Sequence, residues 1–447
     1  MKKFLVVILL GLYSQNVVSQ NIKLPDDNVD LKETINGINK NSNITADSFL
    51  TVLSNWSKYP IVAKKGIQYV FNYKDSILGD IPIRVYVPVN YDEKVKTPVL
   101  LLLHGAVGSS SFEDLNDNGE DLDEDIFFNY FKQLNYIIIR PKADERRKFN
   151  WVVNDFSGSL NRTFDILISA IIHLKKVLNI DDQKVTCFGH SDGADGTFGM
   201  DIYNPGMFNG FVCYNSMFNV LFARNIYFRN AINKPIYITH SDKDALRPIE
   251  QTRLVIKAFD SLQIRHTYKE YYNYQHYDKH LEIDLPNAFE FISKNLRNPF
   301  TKDVYWETDN PVYNKCNWIK IMEIDTNLSN AKWHTPIHLN SFDPRTKTIK
   351  YNSYYYRVNS SGAIKATYNN NQFSIETSRI KTFEVFLSKS MVNADKPIKV
   401  FVNGKLAYNQ KVRMDKAYIA TNFLNNYDRQ ELWFNSIKIN YKENCWK

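Results

Sequence analysis

A chain of 447 residues is too long for one ordinary domain, so roughly two or three are expected. Its 44% hydrophobic and 14% aromatic content supports a large buried core and excludes a disordered chain. The formal charge of +8 comes from scattered Lys and Arg, without the clustered stripe that nucleic-acid binding requires, and reads as a solubility feature.

In chain order, "MKKFLVVILLGLYSQNVVSQ" places Lys2 and Lys3 before an apolar run from Phe4 to Tyr13, then the small residues Val17 and Ser19. This pattern predicts a secretory signal peptide over 1–19, too short for a membrane anchor. No Cys follows the run to carry a lipid, and no later segment has the uninterrupted apolar length of a membrane span. The expectation is an exported protein, secreted or periplasmic, with no membrane insertion. Residues 20–60 are polar with weak helical periodicity at Phe49, Val52, Leu53 and Trp56, and read as an N-terminal extension.

From about residue 66, "GIQYVFNY" and "IPIRVYVPV" alternate as strands about a turn at Gly79-Asp80. "PVLLLLHG" and "NYIIIRPKA" are continuous apolar runs, as in strands buried on both faces of a parallel sheet. Helical spacing in "FDILISAIIHLKKVL" precedes the strand ending at Phe188. "GFVCYNS", "KPIYITHS" and "HTYKEYY" are further strands, and "LPNAFEFISKNL" closes as a helix. Alternating strand and helix over 61–297 predicts an α/β, doubly wound and mostly parallel sheet. Past Asn298-Pro299 the helical signal stops. Short β runs and the hairpin "IKVFVNGKLAYNQKV", turning at Asn403-Gly404, predict a C-terminal all-β sandwich domain over 298–447.

The chemistry centres on "KVTCFGHSDGADG", where Gly189-His190-Ser191-Asp192-Gly193 matches G-x-S-x-G between that fifth strand and a helix. A nucleophile on so sharp a turn needs small neighbours, because the backbone folds close to itself. A tetrahedral oxyanion needs two preorganised backbone donors. The Asp192 amide is one, and the Ala106 amide, in the loop after "LLLLHG", is the other. His104 beside it reads equally well as a structural side chain.

An acid is expected after "KPIYITH", where "SDKDALRP" offers Asp242 and Asp244. Asp244 lies deeper in the loop and is favoured, although both would also serve as helix caps. A base is expected after "HTYKEYY". His276 directly follows the strand and is favoured over His280, which begins a helix. Ser191, Asp244 and His276 then stand in the chain order that G-x-S-x-G enzymes of this fold class use.

On the motifs "LLLHGAVG", "GHSDGADG", "HSDKDALRP" and "NYQHYDKHL", residues 66–297 resemble the α/β-hydrolase superfamily. The branch is that of dienelactone hydrolases, prolyl oligopeptidase catalytic domains and secreted feruloyl or acetyl esterases. The resemblance implies a serine hydrolase without a cofactor, cleaving a small or carbohydrate-linked ester through an acyl-enzyme. The alternatives are a peptidase of the same fold or a non-catalytic polysaccharide-binding protein. Ser241 departs from the glycine usual before the acid, and no β-propeller-length segment precedes the hydrolase region. Oligomeric state is not readable.

Four further expectations concern single residues. Trp151, with Phe149, is a candidate substrate wall, although core packing suits it equally. Asp114, Asn116, Asn118, Gly119 and Asp125 fit a calcium-loop spacing, but Asp121 stands where such loops carry an apolar residue, so no metal is expected. Cys187 and Cys213 read as buried thiols, and Cys316 with Cys445 as a disulfide closing the C-terminal domain. Trp306, Trp318 and Trp333 offer aromatic faces for sugar rings, or core packing.

Overall fold

The computed structural model describes residues 23–115, 122–152, 161–218, 227–310, 312–355 and 360–440. The expected signal peptide, residues 116–121 of the acidic stretch, and Cys445 lie outside them.

Two amphipathic helices come first, α1 (Val29–Lys40) and α2 (Ala46–Ser54). The Asn28 and Thr45 side chains cap them, accepting from the amides of Leu31 and Ser48. Strands β1 (Ile67–Asp75) and β2 (Gly79–Val87) then pair as an antiparallel hairpin, with Gly79 at φ 76° in its turn.

Strands β3 (Thr97–Leu103), β4 (Ile137–Pro141), β5 (Ile180–His190), β6 (Gly210–Tyr214), β7 (Ile236–Ser241) and β8 (His266–Tyr271) complete an eight-stranded sheet in the order β1-β2-β4-β3-β5-β6-β7-β8. Only β2 runs against its neighbours. Helices α3 (Leu122–Lys132), α4 (Thr163–Val177), α5 (Asp192–Tyr203), α6 (Ile249–Ser261) and α7 (His280–Lys294) cover the two faces.

The apolar run of β3 has a simple cause. Val99, Leu101 and Leu103 pack with Phe164, Leu167 and Ile171 of α4 and Phe198 of α5. Leu100 and Leu102 face the opposite way, against Phe127 and Phe131 of α3 and Leu281 and Leu285 of α7. A strand covered on both sides has no polar face, so its sequence shows no alternation. This is the α/β-hydrolase fold class, and its parallel strands deliver their following loops to one edge, where open α/β sheets place their sites.

The C-terminal part contains a five-stranded sheet made of β9 (Asp303–Thr308), β14 (Gly362–Asn369), β15 (Gln372–Ser378), β17 (Ile398–Val402) and β18 (Lys405–Gln410). A four-stranded sheet of β10 (Lys315–Cys316), β11 (Ile319–Ile324), β16 (Ile380–Leu387) and β19 (Asn435–Asn440) shares one apolar core with it. A separate hairpin joins β12 (His338–Asp343) to β13 (Thr348–Tyr355). The β17–β18 turn is Asn403-Gly404, with φ 48° and 81°.

This core is not purely β. Helix α8 (Lys416–Asn426) contributes Ile419 and Phe423, while Leu31, Ile35, Phe49 and Leu53 of α1 and α2 insert into the same cluster. The segment read as a polar extension therefore supplies part of the sandwich core, its apolar positions being those of the helix faces turned inward. Trp306 and Trp318 are fully buried, their ring nitrogens donating to the carbonyls of Tyr313 and Thr301, so neither offers a free face.

Cys445, the expected disulfide partner of Cys316, lies outside the described residues. Cys316 is a free thiol, completely buried in the sandwich core, and burial pushes it up to about 12. Cys187 and Cys213 are also free and buried.

A buried ionic network joins the two parts. Asp428 accepts from Arg297 at 2.7 Å and from Lys175 at 2.8 Å. Arg297 also reaches Glu431, and Arg429 reaches Asp182 at 3.1 Å and the Trp56 carbonyl at 2.9 Å. Burial alone would raise the Asp428 carboxyl, but the two cations hold it below the usual carboxylate range. A buried pair adds little beyond an apolar replacement, yet removing one partner strands the others. We expect Asp428→Ala to lower unfolding free energy by about 3–5 kcal/mol in urea titrations, because Arg297 and Lys175 lose their shared carboxylate.

Candidate active site

The turn after β5 is sharp and strained. Ser191 sits at φ 57° and ψ −123°, a conformation costing an L-residue on the order of 1–3 kcal/mol. Its amide donates to the Tyr214 carbonyl, and its own carbonyl accepts from Ala194 and Asp195 as α5 begins. Both flanking glycines are sterically required. A Cβ on Gly189 would lie 2.1 Å from the Gly193 oxygen, and one on Gly193 would lie 1.9 Å from the Leu103 oxygen. The elbow thus presses α5 against the end of β3.

Three side chains from three loops meet there. His276 Nε2 lies 2.9 Å from Ser191 Oγ, and His276 Nδ1 lies 2.6 Å from Asp244 Oδ2. Nδ1 therefore carries the proton facing the carboxylate, leaving Nε2 to accept from the serine hydroxyl. Ser191 is half-buried and directly follows the end of β5.

Asp244 is held by five donors. Its Oδ1 accepts from the amides of Leu246 and Arg247, and its Oδ2 from the Asn215 amide group at 2.8 Å as well as from His276. His240 Nε2 lies 3.4 Å from Oδ2. Burial would raise this carboxyl, but the hydrogen bonds from His240, His276 and Asn215 outweigh it and hold Asp244 far below the usual range.

The competing candidates have other partners. Asp242 accepts from the Asn273 amide, tying the loops after β7 and β8 together. His280 is buried and donates through Nε2 to Asn215 Oδ1 at 3.0 Å, orienting the amide that holds Asp244. Burial first, and the neighbouring His190 second, pull His280 down to about 4, so it is neutral at physiological pH. Ser241, in place of a glycine, accepts from Asn215 and donates to the Gln275 carbonyl next to His276.

Several residues that sequence reasoning passed over complete the frame. Arg247 is buried and donates to Asp192 and Asp195, one helical turn apart on α5. Asp192 in turn accepts from the Val107 amide at 3.0 Å, which draws the loop after β3 against the elbow. Ala106, just before, is in the left-handed region at φ 51°. Asp195 accepts from the Ser216 hydroxyl and from the amides of Met217 and Phe218. His190 donates to the His276 carbonyl at 3.0 Å and lies against its ring. The signal for Arg247 lay in its position three residues after Asp244, beside an Asp-x-x-Asp pair at helical spacing.

Trp151 does not line a substrate wall. It is fully buried, donates to the His104 carbonyl at 3.1 Å, and packs where a Gly196 Cβ would lie 2.6 Å from its ring. His104 is a structural side chain, accepting from the Ala143 amide through Nε2 and donating to the Gly105 carbonyl through Nδ1. Among the described residues no group of His, Cys, Asp and Glu is arranged to hold a metal ion.

No family model and no curated protein sequence matches the chain. Among solved structures it is similar to a thermostable esterase, at 21% identity over 52% of this chain and 63% of that one, with a TM-score of 0.41. Porphyromonas gingivalis dipeptidyl peptidase 4 is similar at 16% identity over 52% of this chain and 36% of that one, with a TM-score of 0.39. Thermogutta terrifontis esterase 2 is similar at 16% identity over 53% of this chain and 97% of that one, with a TM-score of 0.41. The chain spans less than two thirds of the first two structures. At these identities the likeness is one of fold, and the chemistry rests on Ser191 and its neighbours.

Two outcomes follow from this geometry. Gly193→Ala drives a methyl group into the Leu103 carbonyl, so the elbow must open; hydrolysis should be lost, with a lower melting temperature in calorimetry. Arg247→Met preserves length but leaves Asp192 and Asp195 as like charges on one helix face. Labelling of Ser191 by a fluorophosphonate probe should slow by about 10- to 100-fold, because the elbow and the Ala106 loop lose their common anchor.

Proposed function

We propose that the chain is an exported serine hydrolase that cleaves an ester through an acyl-enzyme. The observation that carries this reading is the hydrogen-bonded chain Ser191–His276–Asp244 on a strained, half-exposed turn. His276 takes the Ser191 proton as Oγ attacks the ester carbonyl, and ionised Asp244 stabilises the imidazolium and holds its orientation. The backbone amides of Asp192 and Ala106 receive the oxyanion, each donor worth roughly 3 kcal/mol in the transition state. Collapse expels the alcohol with the proton from His276; water then attacks the acyl-enzyme, His276 again serving as base. Export rests on the apolar, Lys-headed segment 1–19. The proposed substrate is a small or carbohydrate-linked ester, with acetyl and feruloyl groups the first acyl groups to assay.

Ser191→Ala should reduce ester hydrolysis by on the order of 10⁴-fold or more while the melting temperature is preserved. A fluorophosphonate probe should label Ser191 alone. Asp244→Asn and His276→Ala should each cost far more turnover than Asp242→Asn and His280→Ala. Undiminished activity in Ser191→Ala would overturn the reading, and efficient cleavage of peptides with esters untouched would replace it with a peptidase.

A further inference from the structure

A second cleft, of about 710 Å³, lies on the outer face of the five-stranded sheet, away from Ser191. Its size falls within the range of small-molecule sites. Along β14 and β15 the buried Ile364, Ala366, Phe373 and Ile375 alternate with the exposed Lys365, Thr367, Ser374 and Glu376, so one face is core and the other lines the cleft.

The strand register arranges the exposed face in rungs. Phe401 on β17 pairs with Ser374 on β15, Ser374 with Thr367 on β14, and Thr367 with Asp303 on β9. Three strand spacings make this rung about 14 Å long. Two residues along, Glu376 pairs with Lys365 and Lys365 with Tyr305. Ile232 and Asn233, from the segment between α5 and β7, close the cleft at the β9 end.

We propose that this cleft binds a neutral oligosaccharide. The half-exposed Phe401 ring offers an apolar face for the C–H side of a pyranose, beside hydroxyl and carboxylate groups that pair with sugar hydroxyls. Two carboxylates, Asp303 and Glu376, outnumber Lys365, whose ammonium already sits 4.5 Å from the centre of the Trp333 ring. That balance disfavours phosphate and uronate groups. The rung's length fits several linked sugar rings better than one. The site is independent of the reading at Ser191, since none of its residues touches that turn.

The test uses the full chain and isothermal titration with xylohexaose, cellohexaose and mannohexaose, with polygalacturonate as the anionic control. At least one neutral hexasaccharide should bind, and Phe401→Ala and Asp303→Asn should each weaken that binding by about tenfold or more. Hydrolysis of a soluble aryl acetate should be unchanged in both variants. If Phe401→Ala lowers the melting temperature, Ser374→Trp, which fills the cleft from an exposed position, takes its place and should abolish binding. The proposal is overturned if no neutral hexasaccharide binds, if polygalacturonate is preferred, or if affinity survives the cleft substitutions unchanged.

Discussion

Arg247 donates to Asp192 and Asp195 at once, and most of the site's geometry passes through that fork. The two carboxylates occupy the first turn of α5, where the positive end of the helix favours them, yet one turn apart they repel each other. A buried guanidinium between them removes the repulsion and adds direction. Because Asp192 also holds the Val107 amide and Asp195 holds the loop after β6, one cation aligns three loops. Arg247 itself is placed by Asp244, which accepts from its backbone amide. The carboxylate that orients His276 and the cation that braces the elbow therefore belong to the same tight turn.

A second ionic cluster does comparable work at the junction between the parallel sheet and the sandwich. Lys175, Asp182, Arg297, Asp428, Arg429 and Glu431 are all buried there, and each charge has an opposite partner. Charges at such a depth are tolerated only in a particular arrangement, so the cluster defines how the two layers meet more than it adds to stability.

Much of this was legible in the sequence, for identifiable reasons. The β3 and β4 runs read as inner strands because burial on both faces removes every polar position. Ser191 stood out because its turn admits only glycine at two flanking sites, and the loops carrying Asp244 and His276 follow strands with clear apolar texture. What escaped notice were residues whose role depends on contacts distant in sequence. Asn215 and His190 carry no local pattern, since their partners His280 and His276 lie 65 and 86 residues away, and Arg247 meets Asp192 and Asp195 across 55 and 52 residues. Trp151 was ambiguous for the same reason, as the glycine that makes room for it is Gly196, on α5. The tryptophans of the C-terminal part were visible, but their burial depends on which strand face turns inward, and short strands leave that undecided.

The packing of α1 and α2 against α8 bears on how the chain is made. The sandwich core draws on residues near both ends of the sequence, with the whole parallel sheet between them. As the polypeptide emerges, Leu31, Ile35, Phe49 and Leu53 appear first and must wait for Ile419 and Phe423, hundreds of residues later. Closing so long a loop is slow, and apolar side chains left waiting are prone to wrong associations. Folding of this protein thus ends where it began, with α1 and α2 seated only once the last strands exist, and any holding factor acting during synthesis would find its target in those two helices.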